Sequence, residues 1–211
     1  PVEDVRLPRH VGSAAVAFAQ RRAWRNGSYA QAIDAYITLS GFAAARFVAA
    51  GLDPARVHVK PNFVDDIDPP GAGDGGYAVY AGRLSTEKGL LTLLDAWRGL
   101  RDIPLRIVGD GPLLAELRAR AAREGLPVEF LGLRPREEVR AVIGAAALLV
   151  LPSQWFEGFP LVLVESYARG TPVVAARIGS LAELVVPDRT GLQFRAGDAS
   201  ELAARVRELW A

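Results

Sequence analysis

The sequence predicts an α/β protein built on a doubly wound parallel sheet. Three observations predict it. Short, wholly apolar runs at 147–151 and 172–176 have the composition of strands buried on both faces. Helical patterns alternate with such runs from Tyr77 to the last residues, and repeated β-α alternation builds parallel sheets. The loops after several runs carry glycine and charge, and in open sheets of this kind ligands bind at the carboxyl ends of the strands.

Residues 1–12 read as irregular, with Pro1 and Pro8, and residues 13–26 as a helix ended by Asn26-Gly27. Its Arg21, Arg22 and Arg25 read as a solvated basic face, with peripheral contact to an anionic membrane surface as the alternative. A short helix at 29–34 and a strand at 35–39 follow. Ser40 then caps a helix at 41–50 that stops at Gly51. Asp53-Pro54 turns the chain into a strand at 57–59, where His58 is a packed or edge residue, so 36–65 forms a small β-α-β unit. Residues 66–76, rich in Asp, Pro and Gly, read as a linker between a first domain at 1–65 and a second at 77–211.

The second domain is expected to run as strand 77–81, helix 89–101, strand 105–108, helix 112–124, strand 128–131, helix 136–143 and strand 147–151. A helix at 161–169 comes next, stopped by Gly170 and Pro172, with Pro160 suited to its first turn. Strand 172–176, a short helix near Leu181, a short strand near Leu192 and a helix at 199–210 complete the pattern. Ser180 and Glu183 form a capping-box pattern, which makes Glu183 structural rather than catalytic.

Composition excludes several function classes. The 25 basic and 24 acidic side chains leave a net charge of +1, so nothing argues for a nucleic-acid surface. With no cysteine, and with His10 and His58 as the only histidines, neither a disulfide framework nor a Cys- or His-rich metal site is expected. His10 matches no catalytic-base motif and reads as a surface or capping residue. No run reaches the ~20 apolar residues of a membrane-spanning helix, and no signal peptide is visible. The chain opens on Pro1 and contains no Met, so its natural N-terminus is expected to lie upstream.

The stretch Ser153-Gln154-Trp155-Phe156-Glu157-Gly158-Phe159-Pro160-Leu161-Val162-Leu163-Val164-Glu165 organises the chain. Glu157 and Gly158 fall between the end of a buried strand and the start of a helix, where free N–H groups and the helix dipole suit an anion such as phosphate. Gly158 permits close backbone approach, and Glu165 lies little more than a turn into the helix. Glu157 and Glu165, separated by seven residues and enclosing Gly158-Phe159-Pro160, resemble the E-x7-E signature of retaining GT-B glycosyltransferases. The match is closest to the large group 1 family, GT4. The continuation Ser166-Tyr167-Ala168-Arg169-Gly170-Thr171-Pro172-Val173-Val174-Ala175, Glu183-Leu184-Val185, and the earlier Pro61-Asn62-Phe63-Val64-Asp65 are similar to that family as well.

The resemblance implies a GT-B fold, with 77–211 as the nucleotide-sugar-binding domain and 1–65 as the end of an acceptor-side domain. It implies retaining transfer of a sugar from a nucleotide-diphosphate donor to an acceptor such as a polysaccharide or lipid-linked glycan, in the cytoplasm or at the inner face of its membrane. The loop Gly82-Arg83-Leu84-Ser85-Thr86-Glu87-Lys88-Gly89 places two cations at a strand end, where Arg grips phosphate in a fork and Lys supplies a point charge. The resemblance gives Arg83 and Lys88 the donor diphosphate and its stabilisation as leaving group. It puts Gly82, Gly109 and Gly111 near the donor, and Leu133 and Arg134 near the base. Glu157 would hold the sugar hydroxyls, with N–H groups of Gly158, Phe159 and Leu161 beside it, while Pro160 has none to give. Glu165 would hold the ribose hydroxyls. Neither cofactor nor metal is expected, since the cations take the metal's place.

Rival readings remain. Gly109-x-Gly111 with Glu129 twenty residues on invites a dinucleotide site, but Leu114 stands at the third glycine position and the motif follows the domain's second strand. A nucleotide-sugar epimerase or hydrolase on the same fold is opposed by the E-x7-E spacing. A catalytically silent nucleotide-binding module is opposed by the intact Arg83, Lys88, Glu157 and Glu165. The first domain supplies only two strands, so this chain is expected to bind donor while transferring little sugar by itself.

Overall fold

The computed structural model describes residues 9–64 and 69–210. Helices α1 (Arg9–Arg25) and α2 (Ser28–Ala32) lead into a parallel pair, β1 (Tyr36–Thr38) and β2 (Val57–Val59), joined through α3 (Gly41–Ala49). The expected β-α-β unit is therefore present. The Ser40 hydroxyl accepts from the Ala43 N–H at 3.2 Å, as an N-cap should. Helix α1 begins at Arg9, correcting the irregular reading of residues 9–12. Gly12 does not interrupt it, because one glycine costs a helix only about 1 kcal/mol. The expected stop does occur, with Gly27 left-handed at φ 73°. The His10 side chain and residues 1–8 lie outside the described residues. His58 is exposed in β2.

The second sheet has six strands: β3 (Ala78–Ala81), β4 (Leu105–Val108), β5 (Val128–Gly132), β6 (Leu148–Leu151), β7 (Val173–Ala176) and β8 (Gly191–Phe194). All pairings are parallel, in the order β5-β4-β3-β6-β7-β8. The chain steps outward from β3 to β5, returns to β6 beside β3, and then steps outward the other way. That reversal opens a crevice at the carboxyl ends of β3 and β6.

The connecting helices are α4 (Leu90–Trp97), α5 (Leu114–Glu124), α6 (Arg136–Ala145), α7 (Leu161–Ala168) and α8 (Gly179–Leu184), and α9 (Ala199–Trp210) follows β8. Strand side chains alternate between two cores, as the period of two requires. Tyr80, Ile107, Val150 and Val174 face α4, α5 and α9, while Val79, Val108, Leu149 and Val173 face α6, α7 and α8. The largest fully buried side chain is Trp97, whose Nε1–H donates to the Ile103 carbonyl at 2.8 Å. Helix α4 stops there, short of the expected residue 101, because Gly99 opens a turn that folds the chain back beneath the indole.

The capping box at Ser180 is corrected. Helix α8 has Ile178 as its N-cap, so Ser180 sits inside the helix and Glu183 falls too late to reach back. Instead the Glu183 carboxylate accepts from the N–H groups of Gly41 at 3.0 Å and Phe42 at 2.7 Å, capping α3 from across the molecule. Glu183→Ala should cost about 0.5–2 kcal/mol locally. Amide exchange at Gly41 and Phe42 should speed up while β6 stays protected, and unchanged exchange at those two amides would refute the cap.

Where described, the stretch read as a linker is fastened to the six-stranded unit. Gly71, Gly73 and Gly75 donate to the carbonyls of Arg169, Gly144 and Ala145 at 2.8–3.1 Å. Among the described residues no helix is long and apolar enough to cross a membrane.

Candidate functional site

The loops after β3 and β6 lie against each other. After Gly82 and Arg83 the first tightens into a 3₁₀ turn at Thr86–Lys88 and ends at Gly89, left-handed at φ 72°. A Cβ on Gly89 would come within 1.8 Å of the Pro152 carbonyl oxygen, so the contact needs glycine. The Gln154 N–H donates to the Glu87 carbonyl at 2.9 Å, stitching the loops further.

That stitching brings Lys88 and Glu157 together across 69 positions of sequence. The Lys88 ammonium donates to Oε1 of Glu157 at 2.7 Å and to Oε2 at 2.9 Å. The Ser153 hydroxyl donates to the same Oε1 at 2.6 Å, and the Ser180 hydroxyl to the Glu157 backbone carbonyl at 2.6 Å. Sequence reasoning misses both serines as site residues, since it assigns Ser180 to a cap and gives Ser153 no role. Glu157 is thus pinned at side chain and backbone, yet its side chain keeps 16% exposure and Lys88 28%, so the pair stays open to the crevice.

The surrounding charges are tuned. Burial, and then the nearby Glu157 and Glu87 carboxylates, push the Tyr80 phenol well above its usual range. It remains a neutral donor to the Arg83 carbonyl at 2.8 Å. The Ser85 hydroxyl, 2.5 Å from Glu87, holds that carboxyl below its usual range.

A cavity of about 580 Å³ opens alongside. It is lined by seven of the residues singled out from sequence: Gly82, Arg83, Gly109, Gly111, Leu133, Arg134 and Glu165. Ala81, Val108, Asp110, Val139 and Val162 complete its walls and escape the sequence reading. Ala81 and Val108 end apolar strands, a signal that could have found them. Lys88, Glu157, Gly158, Phe159, Pro160 and Leu161 do not line this cavity; they make a second group on the loops after β3 and β6 and at the start of α7.

The glycines of the second turn also pack against the first. A Cβ on Gly109 would approach the Gly82 carbonyl oxygen to 1.9 Å, and one on Gly111 the Leu84 carbonyl oxygen to 2.4 Å. The close backbone approach they permit is therefore that of the neighbouring loop. Hydrogen bonds from Gly82 N to Val108 O at 3.0 Å and from Leu84 N to Asp110 O at 2.9 Å hold the two loops in that contact.

Glu165 is buried on α7, and its Oε1 accepts from Arg136 Nε at 2.8 Å. Ahead of α7, Pro160 is the N-cap and supplies no side-chain cap. A Cβ on Gly158 would meet only the Leu39 side chain, at an ordinary 3.6 Å. Asn62 donates to the Phe159 carbonyl at 2.7 Å, and Phe42 packs on Phe156 with ring centres 5.0 Å apart. The β-α-β unit thus touches the Glu157 loop directly.

The family model for glycosyl transferases group 1 matches residues 66–211. The chain is 31% identical over 138 residues to an uncharacterized glycosyltransferase of Methanocaldococcus jannaschii, covering 65% of this chain and 39% of that protein. It is 32% identical over 171 residues to the 2-deoxystreptamine glucosyltransferase of Streptomyces kanamyceticus, covering 77% and 44%. Its fold matches crystalline Anabaena HepE in complex with UDP, with a TM-score of 0.75 and 28% identity over 83% of this chain and 53% of that one. The chain spans less than half the length of these curated relatives.

Proposed function

Because the chain belongs to the group 1 glycosyl transferases and carries their GT-B fold, we propose that it binds a nucleotide-diphosphate sugar for transfer to an acceptor with retained anomeric configuration. The observation that carries this reading is the Lys88–Glu157–Ser153 cluster at the crevice, beside a cavity lined by Arg83 and Glu165. HepE, crystallised with UDP and with UDP-glucose, supports a nucleotide of this class.

In this reading the cavity takes the nucleoside, with its base near Leu133 and Arg134 and its ribose at Glu165. The diphosphate meets Arg83 and Lys88. Lys88 has three N–H donors and gives two to Glu157, so the third remains for a phosphate oxygen. Glu157 accepts from the sugar hydroxyls near the reacting carbon, flanked by N–H groups of Gly158, Phe159 and Leu161. As the bond to the diphosphate breaks, Arg83 and Lys88 offset the growing negative charge. The acceptor attacks from the face the diphosphate leaves, which retains the configuration. The cations serve without a metal or cofactor. The acceptor is a polysaccharide or lipid-linked glycan, met in the cytoplasm where such donors are made.

The test is a thermal-shift screen of the chain against UDP, GDP, ADP and their sugar conjugates. A ligand at a hundred times its Kd should stabilise by about 2.7 kcal/mol. Transfer assays on the whole protein, with NMR of the product's anomeric centre, then check the chemistry. Stabilisation by none of these nucleotides, or an inverted product, would sink the reading. Arg83→Ala or Lys88→Ala should each weaken nucleoside diphosphate binding by about 1.5–3 kcal/mol, the scale of a charged hydrogen bond. Bare nucleoside should bind as before. Equal losses for both ligands in calorimetry would show that neither cation meets phosphate.

A further inference from the structure

Glu165 is the one charged residue in the buried class among the described residues. A carboxylate removed from water needs a partner, and here that partner is Arg136, whose own side chain is 62% exposed. The contact is single-pointed: Nε of Arg136 meets Oε1, and among the described residues Oε2 accepts no hydrogen bond. Arg136 is also misplaced on its own helix. It is the first residue of α6, at the positive end of the dipole, where the following Glu137 and Glu138 belong and a cation does not. There it bonds Glu165 on α7, which lines the cavity together with Leu133 and Arg134. Arg136 does not itself line that cavity.

We propose that Arg136 is a positioning residue for Glu165, holding the carboxylate by one oxygen so that the other meets the vicinal hydroxyls of a bound ribose. This rests on the nucleotide reading of the cavity given above. A forked pair would occupy both oxygens and compete with the diol. A single Nε contact anchors one oxygen and leaves acceptor sites on the carboxylate for two donated hydrogen bonds. Arg136 acts on the ligand only through Glu165.

Calorimetry with UDP and 2′,3′-dideoxy-UDP tests this on the chain as it stands. Arg136→Met, which keeps length and removes the donor, should weaken UDP about tenfold, the scale of one hydrogen bond to a charged group, and leave the dideoxy analogue within about twofold. Arg136→Lys should recover part of the loss. In a Glu165→Ala background, where the acceptor for Arg136 is gone, Arg136→Met should change UDP affinity by less than about twofold. An equal loss for both nucleotides, or a loss that adds to that of Glu165→Ala, would overturn the positioning role while leaving the ribose assignment intact. If Glu165→Ala alone weakened the two nucleotides equally, the ribose assignment itself would fall, and the role of Arg136 with it.

Discussion

In the whole protein, Glu157→Ala is expected to lower sugar transfer by about 100- to 1,000-fold, the loss seen when one preorganised polar group is removed from a reacting centre. The expectation comes from how firmly the residue is set. Lys88, Ser153 and Ser180 fix its carboxylate and backbone from three separate segments, so the group reaches the transition state without reorganising. Nucleoside diphosphate binding should survive the change. Lys88 loses both of its bonds to Glu157 and can turn fully to phosphate. What should shrink is the preference for a sugar nucleotide over the plain diphosphate. Initial rates of transfer, with calorimetry on both ligands, measure the two effects separately. Loss of plain diphosphate binding together with activity would move Glu157 from the sugar to the phosphate side of the site.

Trp97→Ala is expected to destabilise the fold by about 3–5 kcal/mol, the cost of deleting a large buried aromatic. The indole is fully buried between the sheet and α9, and its removal also strips the Ile103 carbonyl of its donor. Trp97→Phe fills most of the volume and loses only the hydrogen bond, so it should cost less, about 1–3 kcal/mol. Urea unfolding of the three proteins gives the comparison. Equal penalties for the two variants would mean that the hydrogen bond dominates, and a penalty for alanine below about 1 kcal/mol would contradict the packing altogether.

The parallel sheet was legible because β3, β6 and β7 are buried on both faces and read as unbroken apolar runs, bounded by residues such as Gly82 and Pro152. The chemistry at their ends was legible too, since Arg83, Lys88 and Glu157 stand in the loops and Glu165 little more than a turn into α7. What sequence could not supply is which of these groups meet. Lys88 with Glu157 and Arg136 with Glu165 are contacts made by strand order and the packing of the crossover helices, and Asn62 with Phe159 is a contact between the two sheet units; no spacing along the chain encodes either. Glu183 shows the other limit. A shift of two residues between the expected cap at Ser180 and the observed one at Ile178 turned an internal cap into a contact between distant helices. Helix ends are where local signals are weakest.

The contact between Gly109-Asp110-Gly111 and the loop at 82–84 sets a rule for building chimeras. The backbone carbonyls of Gly82 and Leu84 occupy the space that a Cβ at position 109 or 111 would need. A segment from 82 to 89 transplanted from a relative to alter donor preference will seat only if the recipient keeps glycine at both 109 and 111, or if the relative's own second turn is moved with it. The exchangeable unit is the pair of loops, although α4 and β4 separate them along the chain.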